Sequence, residues 1–377
     1  MRHISRGLPG VVLAACFLFG APGFAQTSEQ AQADAYLRAQ RAYEEESAAY
    51  WRSVGEKRGM RNEKRRNNQT VTLSDYVLTQ PPVYSGPPGP PGPAVPPAPP
   101  RVVADFLKAA AEEFGFVPRR PANELEFKRA YARGAMEAGL TREQVVGIYA
   151  FETGGNGNYD TQAGLTGKGT RAISPALGYN QLLNTNTIGL LAEHGDTLIE
   201  QLARKADAIA GTPKAAMLGK IAALRRMVAF TRTVPNRWSE HDKLAKTTAA
   251  GLGVHAALLD IDLGPWLQVR KLVNSVHFAR TRGYKRTLTA AELELMNFTG
   301  DGNGIDMVSM DAELRARVPT ANFFQREGYE RNPIARRTGV VAALIESIEA
   351  RAVNGARAEG AQDLAAAFTD LAPAGRP

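Results

Sequence analysis

Residues 141–155 read TREQVVGIYAFETGG. Thr141 stands where a helix N-cap belongs, and Gln144, three residues on, completes the spacing of a capping box. Val145, Ile148, Tyr149 and Glu152 then recur at helical intervals. Gly154 and Gly155 can stop the helix in the left-handed region, where glycine carries no side-chain penalty. The stretch therefore predicts an apolar-faced helix that ends on Glu152. The carbonyl end of a helix disfavours a negative charge, and burial beside Phe151 disfavours it further. Both effects raise the carboxyl pKa. A carboxylic acid that keeps its proton near neutral pH is what departure of a sugar oxygen requires. On the local pattern alone, an ordinary solvent-facing glutamate remains the plainer reading.

Outward from this helix the same periodicity continues. Residues 102–114 place Val102, Val103, Phe106, Leu107 and Ala110 on one stripe, and 123–138 do so with Leu125, Phe127, Tyr131 and Ala135. Further helices are expected over 188–210, 213–231, 241–259, 266–280, 289–296 and 335–352. Strand-like alternation is scarce between 101 and 350, and no internal repeat is visible. The expectation is a mainly α domain over 101–355, with a small β element near 165–175. Residues 356–377 turn rich in Ala, Gly and Asp and read as a flexible tail.

The segment Tyr149-Ala150-Phe151-Glu152-Thr153-Gly154-Gly155 resembles the catalytic helix end of soluble lytic transglycosylases and goose-type lysozymes. That superfamily usually has serine after the glutamate, where this chain has Thr153. Its second motif, Gly-Leu-Met-Gln-Leu/Ile, has a counterpart in Gly178-Tyr179-Asn180-Gln181-Leu182. Here Tyr179 and Asn180 replace Leu and Met. Its third, Ala-Tyr-Asn-x-Gly, is approached by Leu295-Met296-Asn297-Phe298-Thr299-Gly300, with Met296 for tyrosine and one residue more before the glycine. The resemblance covers residues 135–305 and implies a lysozyme-like helical fold. It implies that Glu152 is the catalytic acid and that Thr153, Gly178, Tyr179, Gln181 and Asn297 meet the substrate. The implied reaction cleaves the bond between N-acetylmuramic acid and N-acetylglucosamine in peptidoglycan strands. Glu152 would protonate the glycosidic oxygen and then deprotonate the C6 hydroxyl, leaving a 1,6-anhydro end. No cofactor or metal is implied, and an envelope-spanning machine is a conceivable further partner. A lysozyme-like hydrolase and a non-catalytic wall-binding scaffold are the alternatives.

Several residues carry two readings. Gln181 could bond an acetamido group or hold its own backbone. Tyr179 could stack on a sugar or cover the core, and Asn297 could position substrate or cap a turn. Asn322-Phe323-Phe324 through Tyr329 could wall a groove or pack helices. A second carboxylate would point to direct hydrolysis. Asp160, Asp196, Asp301 and Asp306 are candidates, and none has a spacing that identifies it. Asp301-Gly302-Asn303-Gly304-Ile305-Asp306 has the oxygen ligands of a calcium loop but lacks a glutamate at its twelfth position, so a glycine-rich turn is the simpler reading. The histidines are too scattered for zinc, and neither a phosphate-binding P-loop nor a nucleophile elbow is present.

The beginning of the chain reads as a secretory signal over 1–25. Arg2, His3 and Arg6 precede LPGVVLAACFLFGA, and Gly23, Phe24 and Ala25 supply small-residue cleavage geometry. The run is shorter than the roughly 20 residues a membrane span needs. Leu13-Ala14-Ala15-Cys16 also resembles a lipoprotein box, which is the minority reading. Cys16 is the sole cysteine, so cleavage after Ala25 removes every thiol. A periplasmic or secreted location without an integral membrane segment follows as the expectation. The formal charge of +8 includes two leader arginines and no leader acid, so +6 remains after cleavage. That charge favours anionic partners, although no nucleic-acid motif accompanies it. Residues 26–79 read as a polar, basic arm, partly helical or flexible. Residues 80–100, QPPVYSGPPGPPGPAVPPAPP, read as an extended spacer, because proline lacks an amide donor and fixes φ.

Overall fold

A computed structural model describes residues 23–90, 99–164 and 172–371. The chain is mainly α-helical, and among the described residues there is no β-strand. It divides into two units, Met1–Arg52 with Pro81–Val95, and Ser53–Gln80 with Pro96–Pro377. The expected signal peptide over 1–25 lies almost wholly outside the described residues. Among the described residues no helix is long and apolar enough to cross a membrane.

In the smaller unit, helix α1 (Gly23–Arg66) supplies residues up to Arg52. The proline-rich stretch is extended, as its composition requires, but over 81–90 it is a packed element rather than a free spacer. Tyr84 sits edge-on to Tyr36 and Tyr43, with ring centroids 6.1 and 5.7 Å away. Gly86 and Gly89 bring their backbone against Ala39 and Tyr36, where a Cβ would lie within 2.6 and 3.0 Å.

The larger unit begins with the last turns of α1, part of the arm that the sequence reads as partly helical or flexible. Arg61 is fully buried there, at 1% exposure. Its guanidinium donates to the carbonyls of Asp75 and Asn322 at 3.0 and 3.2 Å and lies over the Tyr76 ring. Arg58 donates to the carbonyls of Asn322 and Phe324. Asn322 in turn exchanges two hydrogen bonds with the backbone of Val77. This segment is held by guanidinium–carbonyl bonds instead of an apolar stripe, so periodicity gave no sign of it. The aromatic stretch after Pro319 is chiefly packing: Asn322, Phe323 and Tyr329 are buried.

The remaining helices follow the sequence with modest shifts. α2 (Val103–Phe114), α3 (Glu124–Glu137) and α4 (Arg142–Thr153) match their expected spans. α5 (Asn184–Asp207) starts four residues earlier than expected, and α6 (Gly211–Thr231) follows. The expected 241–259 helix is broken into α7 (Trp238–Thr247), α8 (Ala249–Val254) and a 3-10 turn, because Thr248 is extended and caps α8 through its hydroxyl. α9 (Gly264–Thr281) and α10 (Ala290–Thr299) come next. The Asp301 segment is neither a calcium loop nor a glycine turn but helix α11 (Asp301–Val308). Short helices α12 (Ala312–Arg317), α13 (Arg326–Glu330) and α14 (Pro333–Thr338) lead to α15 (Val341–Gly355). Where strand structure was expected, residues 165–171 lie outside the described residues. Nearby there is only an isolated bridge, Leu177 to Leu182.

One apolar core gathers α2, α5, α6 and α8 around Phe106, Ile188, Leu191, Leu224 and Val254. Around α4 pack α10, α15 and α16 (Glu359–Leu371). The last of these corrects the expected frayed tail. α16 buries Ala361, Leu364, Ala367 and Phe368, and also packs on α3. Alanine-rich faces approach closely without long side chains, which is why composition alone misled. The closest approach is glycine on glycine. A Cβ on Gly155 would overlap the Gly355 carbonyl, one on Gly355 would lie 2.5 Å from the Ala150 carbonyl, and one on Gly360 2.6 Å from that of Gly155. Gly155 also has φ of 80°, which side chains disfavour.

Replacing Gly155 by alanine combines a left-handed residue with overpacking, and should destabilise the protein by about 2 kcal/mol or more. Thermal unfolding should show a drop of several degrees relative to the parent. An unchanged midpoint would mean that the α4–α15–α16 junction is not closely packed.

Candidate active site

The site is built where α4 and α10 run side by side. The capping box of α4 forms as its sequence indicates, with Thr141 Oγ1 accepting from Gln144 N–H at 3.2 Å and Gln144 Oε1 from Thr141 N–H at 2.9 Å. α10 is capped in the same way by Thr289 and Glu292. Gly147 permits the two helices to touch, since a Cβ there would lie 2.5 Å from Ala290 Cβ. Five residues further along α4 is Glu152, and four further along α10 is Glu294. At about 1.5 Å rise per residue these are similar advances, so the helices run in the same direction and the two carboxyls meet.

Glu294 is 1% exposed. Among the described residues no N–H or O–H of another side chain or backbone donates to either of its oxygens within hydrogen-bond geometry. Its neighbour is the carboxyl of Glu152, close enough for the two to act strongly on each other. Two buried carboxylates in contact cannot both be ionised without a severe penalty, so the pair must hold a proton between them at neutral pH. Asn297, one turn beyond Glu294, donates its Nδ2 to Glu152 Oε1 at 3.0 Å. Arg351, stacked on Phe151 at 4.8 Å from the ring centroid, adds a positive charge near Glu152.

Glu152 is enclosed by protein yet keeps part of its surface accessible. Burial raises its pKa to about 7, opposed by the hydrogen bond from Glu294, the charge of Arg351 and the Asn297 amide. Burial also pushes the deeper Glu294 well above the ordinary carboxylate range, with the negative charge of Glu152 adding to the rise. Glu294 is thus the member that holds its proton, and it donates toward Glu152. Lys271 opposes that rise from a distance and is itself paired with Asp301.

The other expected site residues divide. Asn297 meets Glu152. Thr153 donates its hydroxyl to the Tyr149 carbonyl at 2.7 Å, an i−4 bond within its own helix. Tyr179 is not a sugar platform. It is fully buried among Phe127, Tyr131 and Tyr149, and its hydroxyl donates to the Glu124 carboxyl. Asn180 beside it is buried against Gln268 and Tyr131. Gln181 holds backbone, with Nε2 donating to the carbonyls of Thr161 and Gly178 at 2.9 and 2.8 Å. Gly178 has φ of 79° and sits against the Gln268 side chain, so its role is the turn. The motif from 178 to 182 is therefore a rigid support for the end of α4.

None of the aspartates considered as a second carboxylate is partnered with Glu152. Asp160 pairs with Arg120, Asp196 with Arg232, Asp306 with Arg65, and Asp301 accepts from Ser275 and lies by Lys271. Sequence reasoning missed Glu294. It occupies the apolar pattern Ala291, Glu294, Leu295, Phe298 at i, i+3, i+4 and i+7, and a charge on that stripe was the available signal. No family model, curated protein or solved structure matches the chain.

The pair makes stability depend on pH with a definite sign. Both folded pKa values lie above those of an unfolded glutamate, so the native state binds more protons between them. Its stabilisation is complete below about pH 4 and is lost as pH rises through the folded values. Glu294→Gln removes the deeper titration and keeps a donor toward Glu152. The variant should match the parent at pH 5 and be more stable by about 1 kcal/mol or more at pH 8, read by denaturant unfolding. Equal stability at both pH values would show that Glu294 ionises normally.

Proposed function

We propose that this chain is a peptidoglycan-cleaving lytic transglycosylase in which Glu152 is the acid. The observation that supports the reading above all is a partly accessible carboxyl whose proton is retained near neutral pH by burial and by a second, protonated carboxyl behind it. Glu152 protonates the oxygen linking N-acetylmuramic acid to N-acetylglucosamine. Positive charge then develops in the muramoyl ring, and the ionised Glu152 opposes it electrostatically. The same carboxylate takes the proton of the C6 hydroxyl as that oxygen closes on the anomeric carbon, which regenerates the acid and leaves a 1,6-anhydro end. Asn297 fixes the carboxyl through Oε1.

The position of Glu294 favours one-acid chemistry over hydrolysis by two carboxylates. Glycosidases that use two carboxylates set them across the sugar, about 5 Å apart or more. Glu294 instead neighbours Glu152 from within the core, at 1% exposure, and is not open to a substrate. It tunes the acid and does not face it. The signal-like start of the sequence is consistent with action on the wall outside the cytoplasm.

Incubating the full chain with purified peptidoglycan and weighing the released sugars tests the reading. Muropeptides with 1,6-anhydro ends are expected, and Glu152→Gln should lower turnover at least about a hundredfold with its fold intact. Reducing ends would assign the chain to the lysozyme-like hydrolases. Release of neither product would leave a wall-binding scaffold.

A further inference from the structure

A recess lies on the larger unit, beside α11. Two cavities of about 400 and 380 Å³ flank the ion pair between Arg65 and Asp306. Both are lined by Arg65, Arg282, Ile305 and Asp306, and the second also by Arg66. Arg65 meets Asp306 at 2.6 Å. Arg66 and Arg282 are exposed, and among the described residues neither has an acidic partner within ion-pair distance. Arg282 lies over the Phe278 ring, 5.1 Å from its guanidinium carbon, and reaches Asp306 only through the longer-range field.

Charge around Asp306 is out of balance. Arg58, Arg61, Arg65 and Arg282 all act on its carboxyl. Arg58 and Arg61 are bonded to carbonyl oxygens, which leaves their charge uncompensated. The other acid at the cavity, Asp301, lies within 3.4 Å of Lys271 and accepts from Ser275. An excess of buried and rim cations in a recess attracts an anion and focuses its field there. Uncharged polar residues Asn62, Thr299 and Asn303 complete the lining, with the Thr299 hydroxyl and an Asn303 amide hydrogen already given to backbone carbonyls.

We propose that this recess binds a phosphate-type dianion, held by Arg66 and Arg282 with Arg65 at its floor. Two guanidinium groups without acids match the charge of a phosphate monoester, about −1.5 to −2 at neutral pH. Planar guanidinium forks also match phosphate oxygens in geometry. The site is separate from Glu152. It begins at Thr299, two residues past Asn297, where Gly300 breaks α10 from α11, and Glu152 lines neither cavity.

Titrating the full chain with inorganic phosphate at fixed ionic strength, by calorimetry, tests the site. Arg66→Ala with Arg282→Ala should weaken binding at least about tenfold. Both side chains are exposed, so circular dichroism should remain unchanged. A second arm uses phosphatidylcholine vesicles with and without phosphatidate, which separates a lipid headgroup from a free phosphate as the source. Capture only by phosphatidate vesicles, lost in the double variant, supports the same site with a headgroup as ligand. Binding of neither probe, or equal binding by parent and double variant, overturns the proposal.

Discussion

Two glutamates on neighbouring helices share a water-poor position, and among the described residues their carboxyls meet each other and one asparagine. Burying one charge there is costly, and burying two in contact is prohibitive. A proton must therefore stay with the pair at a pH where lone glutamates are ionised. Every feature around it serves that arrangement. Gly147 lets α10 approach α4, the two capping boxes fix where each helix begins, and Asn297 holds one oxygen of Glu152. α15 and α16 close on the end of α4 through glycines that admit no side chain.

The arrangement orders the two carboxyls by depth. Glu294 lies within the core and Glu152 at its edge, partly accessible. Burial raises both, but the hydrogen bond from the deeper acid restrains the outer one. The result is an outer group poised between acid and base near neutral pH. A group that must first give and then take a proton needs that poise.

Much of this was legible in the sequence. The capping box at Thr141, the Gly154-Gly155 stop and the stripe through Val145 and Ile148 define α4 completely, and Glu152 follows from its place on that helix. Asn297 was found through a motif, and the structure puts it on Glu152. Tyr179 and Gln181 have the residue types of a sugar contact but are engaged in packing and backbone bonds, a distinction that depends on which way each side chain turns. Glu294 was not among the expected acids, although an acid on an apolar helical stripe was visible in the sequence. The last turns of α1 and all of α16 were hidden for opposite reasons. The former are held by arginine–carbonyl bonds, and the latter by alanine and glycine contacts, so neither shows a strong apolar period.

The central claim is that Glu152 keeps its proton far above the ordinary glutamate range. Carboxyl 13C chemical shifts of the full chain, followed through pH and assigned by comparison with a Glu152→Gln sample, measure this directly. The account predicts that the Glu152 signal titrates near pH 7, together with a second transition from its buried neighbour that is also displaced well above the ordinary carboxylate range. A single ordinary titration near the unperturbed value of about 4.3 for Glu152 would contradict it.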